Sequence, residues 1–185
     1  AAVRAIELQA DLKCVIGGYF SFVGNTQSRF LARLNDDGSL DNAFTVNLGT
    51  GADAGIEALA IQGDGKILVG GDFLNFNGNP SVRLARLNAD GSFDSLFDVG
   101  LGFDGLVRSI ALQPDGKILV CGPFSTYNGV TQPGIVRLNT DGSLDTAFVT
   151  GTGGTGILRA TVQADGKILV YGSVLSFNGV PCSRI

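Results

Sequence analysis

The chain has 185 residues, of which 44% are hydrophobic and only 16% charged; this is the composition of a folded chain, not of a disordered tail. A net charge of −4, a pI near 4.6 and the absence of any Lys/Arg cluster argue against nucleic acid, whose binding needs several phosphate-neutralising cations. There is no histidine, which removes Ser-His-Asp and Cys-His catalysis, and no apolar stretch approaches the length that spans a bilayer.

In chain order, the first recognisable unit is Asp11-Leu12-Lys13-Cys14-Val15-Ile16. It returns in a cleaner form as Asp-Gly-Lys-Ile-Leu-Val from Asp64, Asp115 and Asp165, at intervals of 53, 51 and 50 residues. A second motif, Arg33-Leu34-Asn35-Asp36-Asp37-Gly38-Ser39-Leu40-Asp41, keeps step from Arg86 and Arg137, and its copies lead to Phe44, Phe97 and Phe148. A third appears as Phe76-Asn77-Gly78, Tyr127-Asn128-Gly129 and Phe177-Asn178-Gly179. Internal repeats of this length indicate a solenoid, propeller or array.

Each repeat holds four strand-like segments, here called A to D. In the third repeat A runs over 107–113, B over 117–124, C over 134–138 and D over 144–149. Asp-Gly between apolar runs predicts a hairpin, both from A to B and from C to D. Segment B is apolar at consecutive positions (Ile67, Leu68, Val69), so both of its faces are covered. Segment A is large on one side, at Ile6 and Leu8, Leu59 and Ile61, Ile110 and Leu112. Its other side is small, at Ala5, Ala58, Ala60, Ser109 and Ala111. Large against small suits sheets that stack face to face. No segment shows a helical period. The expected fold is therefore all-β, with propeller blades of four antiparallel strands. The blades divide as 1–54, 55–104, 105–155 and a partial fourth, 156–185, with segments A and B only. About three and a half repeats do not close a ring, so the chain is expected to be part of a larger propeller or to have its open blades covered by neighbours. A start at Ala1 without Met fits a processed product or a piece of something longer.

The string R-L-N-x-D-G-S-L-D-x-x-F, followed by Q-x-D-G-K-I-L-V-x-G-x-F, resembles the delta-60 repeat, a bacterial β-propeller family, over essentially the whole chain. The resemblance implies a propeller in secreted, cell-surface or phage-associated bacterial proteins, with no shared catalytic motif and no cofactor. The first copy departs from the pattern where Asp11-Leu12-Lys13 replaces Asp-Gly-Lys.

Most of the repeated residues read as architecture. Asn35-Asp36-Asp37-Gly38 lacks the alternating carboxylates and distant Glu of a calcium loop and reads as a turn. Asp41, Asp94 and Asp145 recur once per blade, too far apart around an axis for paired-carboxylate chemistry, and are expected to cap the start of segment D. Gly18, Gly71, Gly122 and Gly172 mark a bulge or a close backbone approach. Phe44, Phe97 and Phe148 are expected as anchors between blades, and Lys66, Lys117 and Lys167 as solvated. Cys14 and Cys121 sit in apolar runs and read as core; with Cys182 they make an odd set, not a disulfide framework.

In a meander the short Asp-Gly turns share one end of the blades, and the variable B–C and D–A loops share the other. Binding prefers variable loops on a rigid scaffold. The candidate contact residues are Gln27, Asp53, Asp72, Asn79, Asp104 and Gln132. The functional expectation is a non-catalytic structural or protein-interaction module, extracellular, on the cell surface or virion-associated. Its partners would be proteins or the remaining blades of a longer chain, without membrane insertion. The alternatives are a glycan-binding propeller using the aromatic of Phe-Asn-Gly, and an enzyme with non-repeated acids in a central pocket.

Overall fold

A computed structural model describes residues 1–150, 156–174, 176–177 and 180–181. The first blade is a sheet of β1 (Ala2–Leu8), β2 (Cys14–Tyr19) and β5 (Leu31–Leu34), with a small hairpin of β3 (Phe22–Val23) and β4 (Thr26–Gln27) between β2 and β5. A helix, α1 (Asn42–Leu48), follows. The second blade joins β6 (Ile56–Ile61), β7 (Ile67–Gly71) and β10 (Leu84–Leu87), with its hairpin of β8 (Asn75–Phe76) and β9 (Asn79–Pro80). The third joins β11 (Ser109–Leu112), β12 (Ile118–Cys121) and β15 (Ile135–Leu138), with β13 (Thr126–Tyr127) and β14 (Val130–Thr131). The fourth shows β16 (Ile157–Val162) paired with β17 (Ile168–Gly172), and a hairpin of β18 (Ser176–Phe177) and β19 (Val180–Pro181). All pairings are antiparallel.

The expected segments A, B and C are present in each of the first three blades; segment D is not a strand. Only its first residue pairs, in the single bridges Leu34–Leu40, Leu87–Phe93 and Leu138–Leu144. The next residue then turns the chain: Asp145 accepts from the Ala147 N–H at 3.1 Å, and the Phe148 N–H donates to the Asp145 carbonyl. In the first blade the same aspartate becomes a helix N-cap, with Asp41 accepting from the Phe44 N–H. From this aspartate to the next blade's first buried apolar residue there are 15 residues in blade 1 (Asp41 to Ile56) and 13 in blade 2 (Asp94 to Val107), which leaves room for two turns of helix that bury Phe44 and Leu48.

The apolar core lies between blades, not within them. One cluster joins Val15, Leu31 and Phe44 of blade 1 to Ile56, Leu59, Ile67 and Val69 of blade 2. A second joins Ala60, Leu68 and Leu84 of blade 2 to Val107, Ile118 and Val120 of blade 3, and a third joins Leu119 and Cys121 to Ile157 and Ala160. The first three blades therefore each have an incoming face, with the large residues of A, and an outgoing face, with mostly small ones. Gly71 explains the close stacking within each blade: a Cβ there would collide with the Gly55 carbonyl, as it would for Gly18 against Ala2 and Gly122 against Leu106. In blade 1, Leu12 stands where Gly65 stands in blade 2 and keeps the left-handed conformation, with φ 67° against 84°. The Asp11 carboxylate still accepts from the Lys13 N–H at 3.2 Å, so the turn survives with local strain.

Candidate functional site

The repeated acids form three copies of one buried ionic cluster. Asp41 receives Lys13 Nζ at 2.8 Å and Arg33 Nε at 3.0 Å. Asp94 receives Lys66 at 2.9 Å and Arg86 at 2.8 Å, and Asp145 receives Lys117 at 2.6 Å and Arg137 at 2.7 Å. Each guanidinium also stacks on the phenylalanine of its own blade, 4.4 Å from the ring centroid for Arg33 on Phe44, 4.5 Å for Arg86 on Phe97 and 4.6 Å for Arg137 on Phe148. The other end of the fork crosses to the next blade: Arg33 Nη1 donates to the Ala89 carbonyl at 2.7 Å, and Arg86 Nη1 to that of Thr140.

These carboxylates hold charge firmly. For Asp41, burial works against ionisation, but donation from Lys13, the Phe44 N–H and Arg33 outweighs it and holds the carboxyl at about 2. For Asp145 the Lys117 ammonium leads, with Arg137 and the Ala147 N–H, and the result is again about 2. Groups held so far below the ordinary range are poor proton donors near neutrality. The expectation of solvated lysines is corrected for Lys66 and Lys117, which close these clusters; Lys167 is exposed and, among the described residues, pairs with Asp165 in its own turn. Phe44 and Phe97 anchor blade to blade as expected: a Cβ on Gly91 would meet the Phe44 ring at 2.7 Å, and one on Gly142 the Phe97 ring at 3.1 Å; Phe148 is half-buried.

The variable loops come together as expected. Residues leading into A pair with the small B–C hairpins through the bridges Ala52–Phe76 and Phe103–Tyr127. Within this region the six candidates separate. Asp53 accepts from the N–H groups of Leu74 and Asn75 and from the Asn75 side chain, and Asp104 from the N–H groups of Ser125 and Thr126. Burial opposes charge at both, and the hydrogen bonds win, so both carboxyls lie below their ordinary value. They staple loop to hairpin and are not free contact groups. Asp72 pairs with Arg83 at 3.5 Å, and Asn79 bonds the Asn77 carbonyl of its own hairpin at 3.1 Å. Gln27 is exposed on β4, and Gln132 is half-buried just after β14.

The motif aromatics point inward. Tyr127 is 1% exposed and its hydroxyl donates to the Gly142 carbonyl at 2.5 Å; Phe76 is fully buried. The asparagine beside them is a latch: Asn77 Oδ1 accepts from the Thr50 N–H and Asn128 Oδ1 from that of Leu101, each in the preceding blade's loop. For the third copy, the Phe177 side chain, Asn178 and Gly179 lie outside the described residues, as do Cys182 and most of the loop at 149–155. Burial pushes the Cys121 thiol up to about 12, which makes it a core group.

One charged row escaped the sequence reading. Arg4, Glu57 and Arg108 occupy the same position of segment A in successive blades, and they line an open groove of about 250 Å³ together with Arg159. Arg4 and Glu57 stand in the register breaks Val3/Ala5 and Ile56/Ala58 opposite the repeated glycines Gly18 and Gly71, 3.9 Å from each other. The glycines were the available signal: a bulge frees one residue of the partner strand. Among the described residues no three His, Cys, Asp or Glu side chains gather to hold a metal ion.

No curated protein matches the chain. The family model described as a domain of unknown function, DUF5122, beta-propeller, matches residues 9–44, 62–97, 113–148 and 163–185. Each of those segments contains one copy of the motif that begins at Asp11, Asp64, Asp115 or Asp165, and the chain belongs to this β-propeller repeat family.

Proposed function

We propose that the chain is a non-catalytic structural or protein-interaction module, working outside the cell, on a bacterial surface or in a virion-associated assembly. The observation that carries this reading is the use made of the repeated chemistry. Asp41, Asp94 and Asp145, with their arginines and aromatics, join strand to strand or blade to blade, so what varies between blades is the exposed part of the loop-end hairpins. Two of the motif aromatics that the glycan alternative would use, Phe76 and Tyr127, are buried, which speaks against it.

The test uses labelled chain bound to isolated bacterial envelopes. The residues exchanged are the exposed ones of the hairpins, 22 and 24–27, 78–80 and 129–131, replaced together by Gly/Ser while Phe76, Asn77, Tyr127 and Asn128 are kept. Binding should fall at least tenfold, and it should be abolished by protease treatment of the envelopes but not by periodate. Undiminished binding after all three exchanges would sink the loop-face reading; loss on periodate treatment would favour the glycan alternative.

A further inference from the structure

One position of the first strand is left free by the repeated architecture. It holds Arg4 in blade 1, Glu57 in blade 2, Arg108 in blade 3 and Leu158 in blade 4. The residue before it is fully buried in three blades, as Ile56, Val107 and Ile157, so the backbone there is anchored. The Arg108 N–H also donates to the Cys121 carbonyl at 2.8 Å. The side chain at this position takes no part in the joints between blades, and it changes in charge from blade to blade.

The use made of the arginines narrows the reading. Arg33, Arg86 and Arg137 are taken up by the ionic clusters, and Arg83 holds Asp72 and the Phe103 carbonyl. Arg4, Arg108 and Arg159 have no such role, yet all three line the one groove of about 250 Å³. The groove runs across the first strands of four consecutive blades, with β11 packed between β6 and β16. At its blade 1 end, Arg4 lies 3.9 Å from Glu57 and 5.7 Å from the centroid of the Tyr19 ring. Glu7 also lines the groove, and burial pushes its carboxyl up, against ionisation. At the blade 3 end the balance differs. Among the described residues, the Arg108 and Arg159 side chains have no hydrogen-bond or ion-pair partner. Ser109 stands where blades 1 and 2 have Ala5 and Ala58, and its hydroxyl is likewise unused among the described residues. Two unpaired guanidiniums and a free hydroxyl thus meet in one groove of a chain whose net charge is −4.

We propose that this groove is a binding site for a small oxoanion, a phosphate- or carboxylate-bearing molecule held by the Arg108 and Arg159 guanidiniums and the Ser109 hydroxyl. Guanidinium forks bind both groups through paired N–H donors, and a cleft with surplus charge of one sign concentrates the opposite ion. The size of the groove lies below the roughly 300 Å³ at which pockets for drug-sized ligands begin, so the occupant is small. Glu57 repels a second anionic group at the far end, which favours one compact anion over an extended polyanion. None of these residues is exchanged in the loop-end test, so the site stands or falls apart from the proposed function.

The test titrates the full chain at neutral pH with sodium phosphate or sodium succinate, at an ionic strength held constant with sodium chloride. Calorimetry and the melting temperature are the readouts. At least one of the two anions should bind saturably and raise the melting temperature by roughly 3 °C once it is about tenfold above its dissociation constant. Phosphate alone would assign a phosphate-bearing ligand, and succinate alone a carboxylate. Arg108→Gln and Arg159→Gln should each weaken binding roughly tenfold, and Glu57→Gln should tighten it about twofold or more. Lys167→Gln removes the same charge from an exposed turn and should leave binding unchanged. Without anion, the two arginine variants should melt within about a degree of the parent, since both side chains are exposed. The proposal is overturned if neither anion binds saturably, if sodium chloride alone reproduces the response, or if Lys167→Gln weakens binding as much as the arginine variants do.

Discussion

Replacing Asp94 by Ala is expected to lower the unfolding free energy by about 3–5 kcal/mol, the cost of leaving a buried cation without its counter-ion. The Arg86 side chain is only 9% exposed, and its Nε faces Asp94 while Nη1 faces the next blade. Without the carboxylate it must either stay buried and uncompensated or swing out and abandon the Thr140 carbonyl and the face of Phe97. The second acid of interest, Asp165, supplies the control. Its pair with Lys167 is exposed at both ends, 77% and 51%, so Asp165→Ala should leave the unfolding free energy nearly unchanged. Urea unfolding followed by circular dichroism decides between them. Equal costs at the two positions would show that the clusters are ordinary surface pairs.

The same clusters fix the direction of the acid response. Asp41 and Asp145 sit at about 2 in the folded chain against an ordinary 3.8. Between those values the unfolded chain takes up protons that the folded chain refuses, so stability falls as pH drops through that window. Above it these carboxylates contribute their full stabilisation. The Asp41→Ala and Asp145→Ala chains, less stable at neutral pH, should show a shallower loss between about pH 4 and 2.

How much of this was legible in the sequence depends on whether a residue's partner is local. The Asp-Gly turns, the large and small faces of segment A and the close-approach glycines follow from two-residue alternation and turn chemistry, and they are where the sequence placed them. Lys66 was read as solvated because it follows a turn; its partner Asp94 is 28 residues on and reached only through the B–C pairing. Segment D read as a strand because Leu144, Ala147, Phe148 and Val149 are apolar, yet Asp145 competes for the backbone with its own carboxylate and turns the chain. Asp53 and Asp104 looked free because loops look free, while their bonds run to backbone N–H groups that no side-chain pattern reveals. The departures of Arg159 and Tyr171 from the small residues of the other blades (Ala5, Ala58 and Ser109; Gly17, Gly70 and Cys121) were visible by aligning the repeats. Their meaning required knowing which face of the sheet meets the next blade.

Phe44→Ala tests whether the blades cooperate only with their neighbours. Phe44 is fully buried, packs over Gly91 of the second blade and carries the Arg33 guanidinium on its face. Truncation removes a core aromatic, at about 3–5 kcal/mol, and exposes Arg33 to a cavity where the ring had been. In a stack where each repeat touches only the next, the loss falls on the joint between blades 1 and 2. Hydrogen exchange should then show the amides of β1, β2 and β5 opening first, while those of β11, β12 and β15 keep the protection of the parent chain. Phe148→Ala makes the complementary case. Its ring is only half-buried against the third cluster, so the cost should be smaller and confined to blades 3 and 4. If instead Phe44→Ala lowers protection equally in every strand, the joints are coupled beyond nearest neighbours. The three ionic clusters must then act as one continuous brace, with Arg33 and Arg86 passing the load from blade to blade through the carbonyls of Ala89 and Thr140.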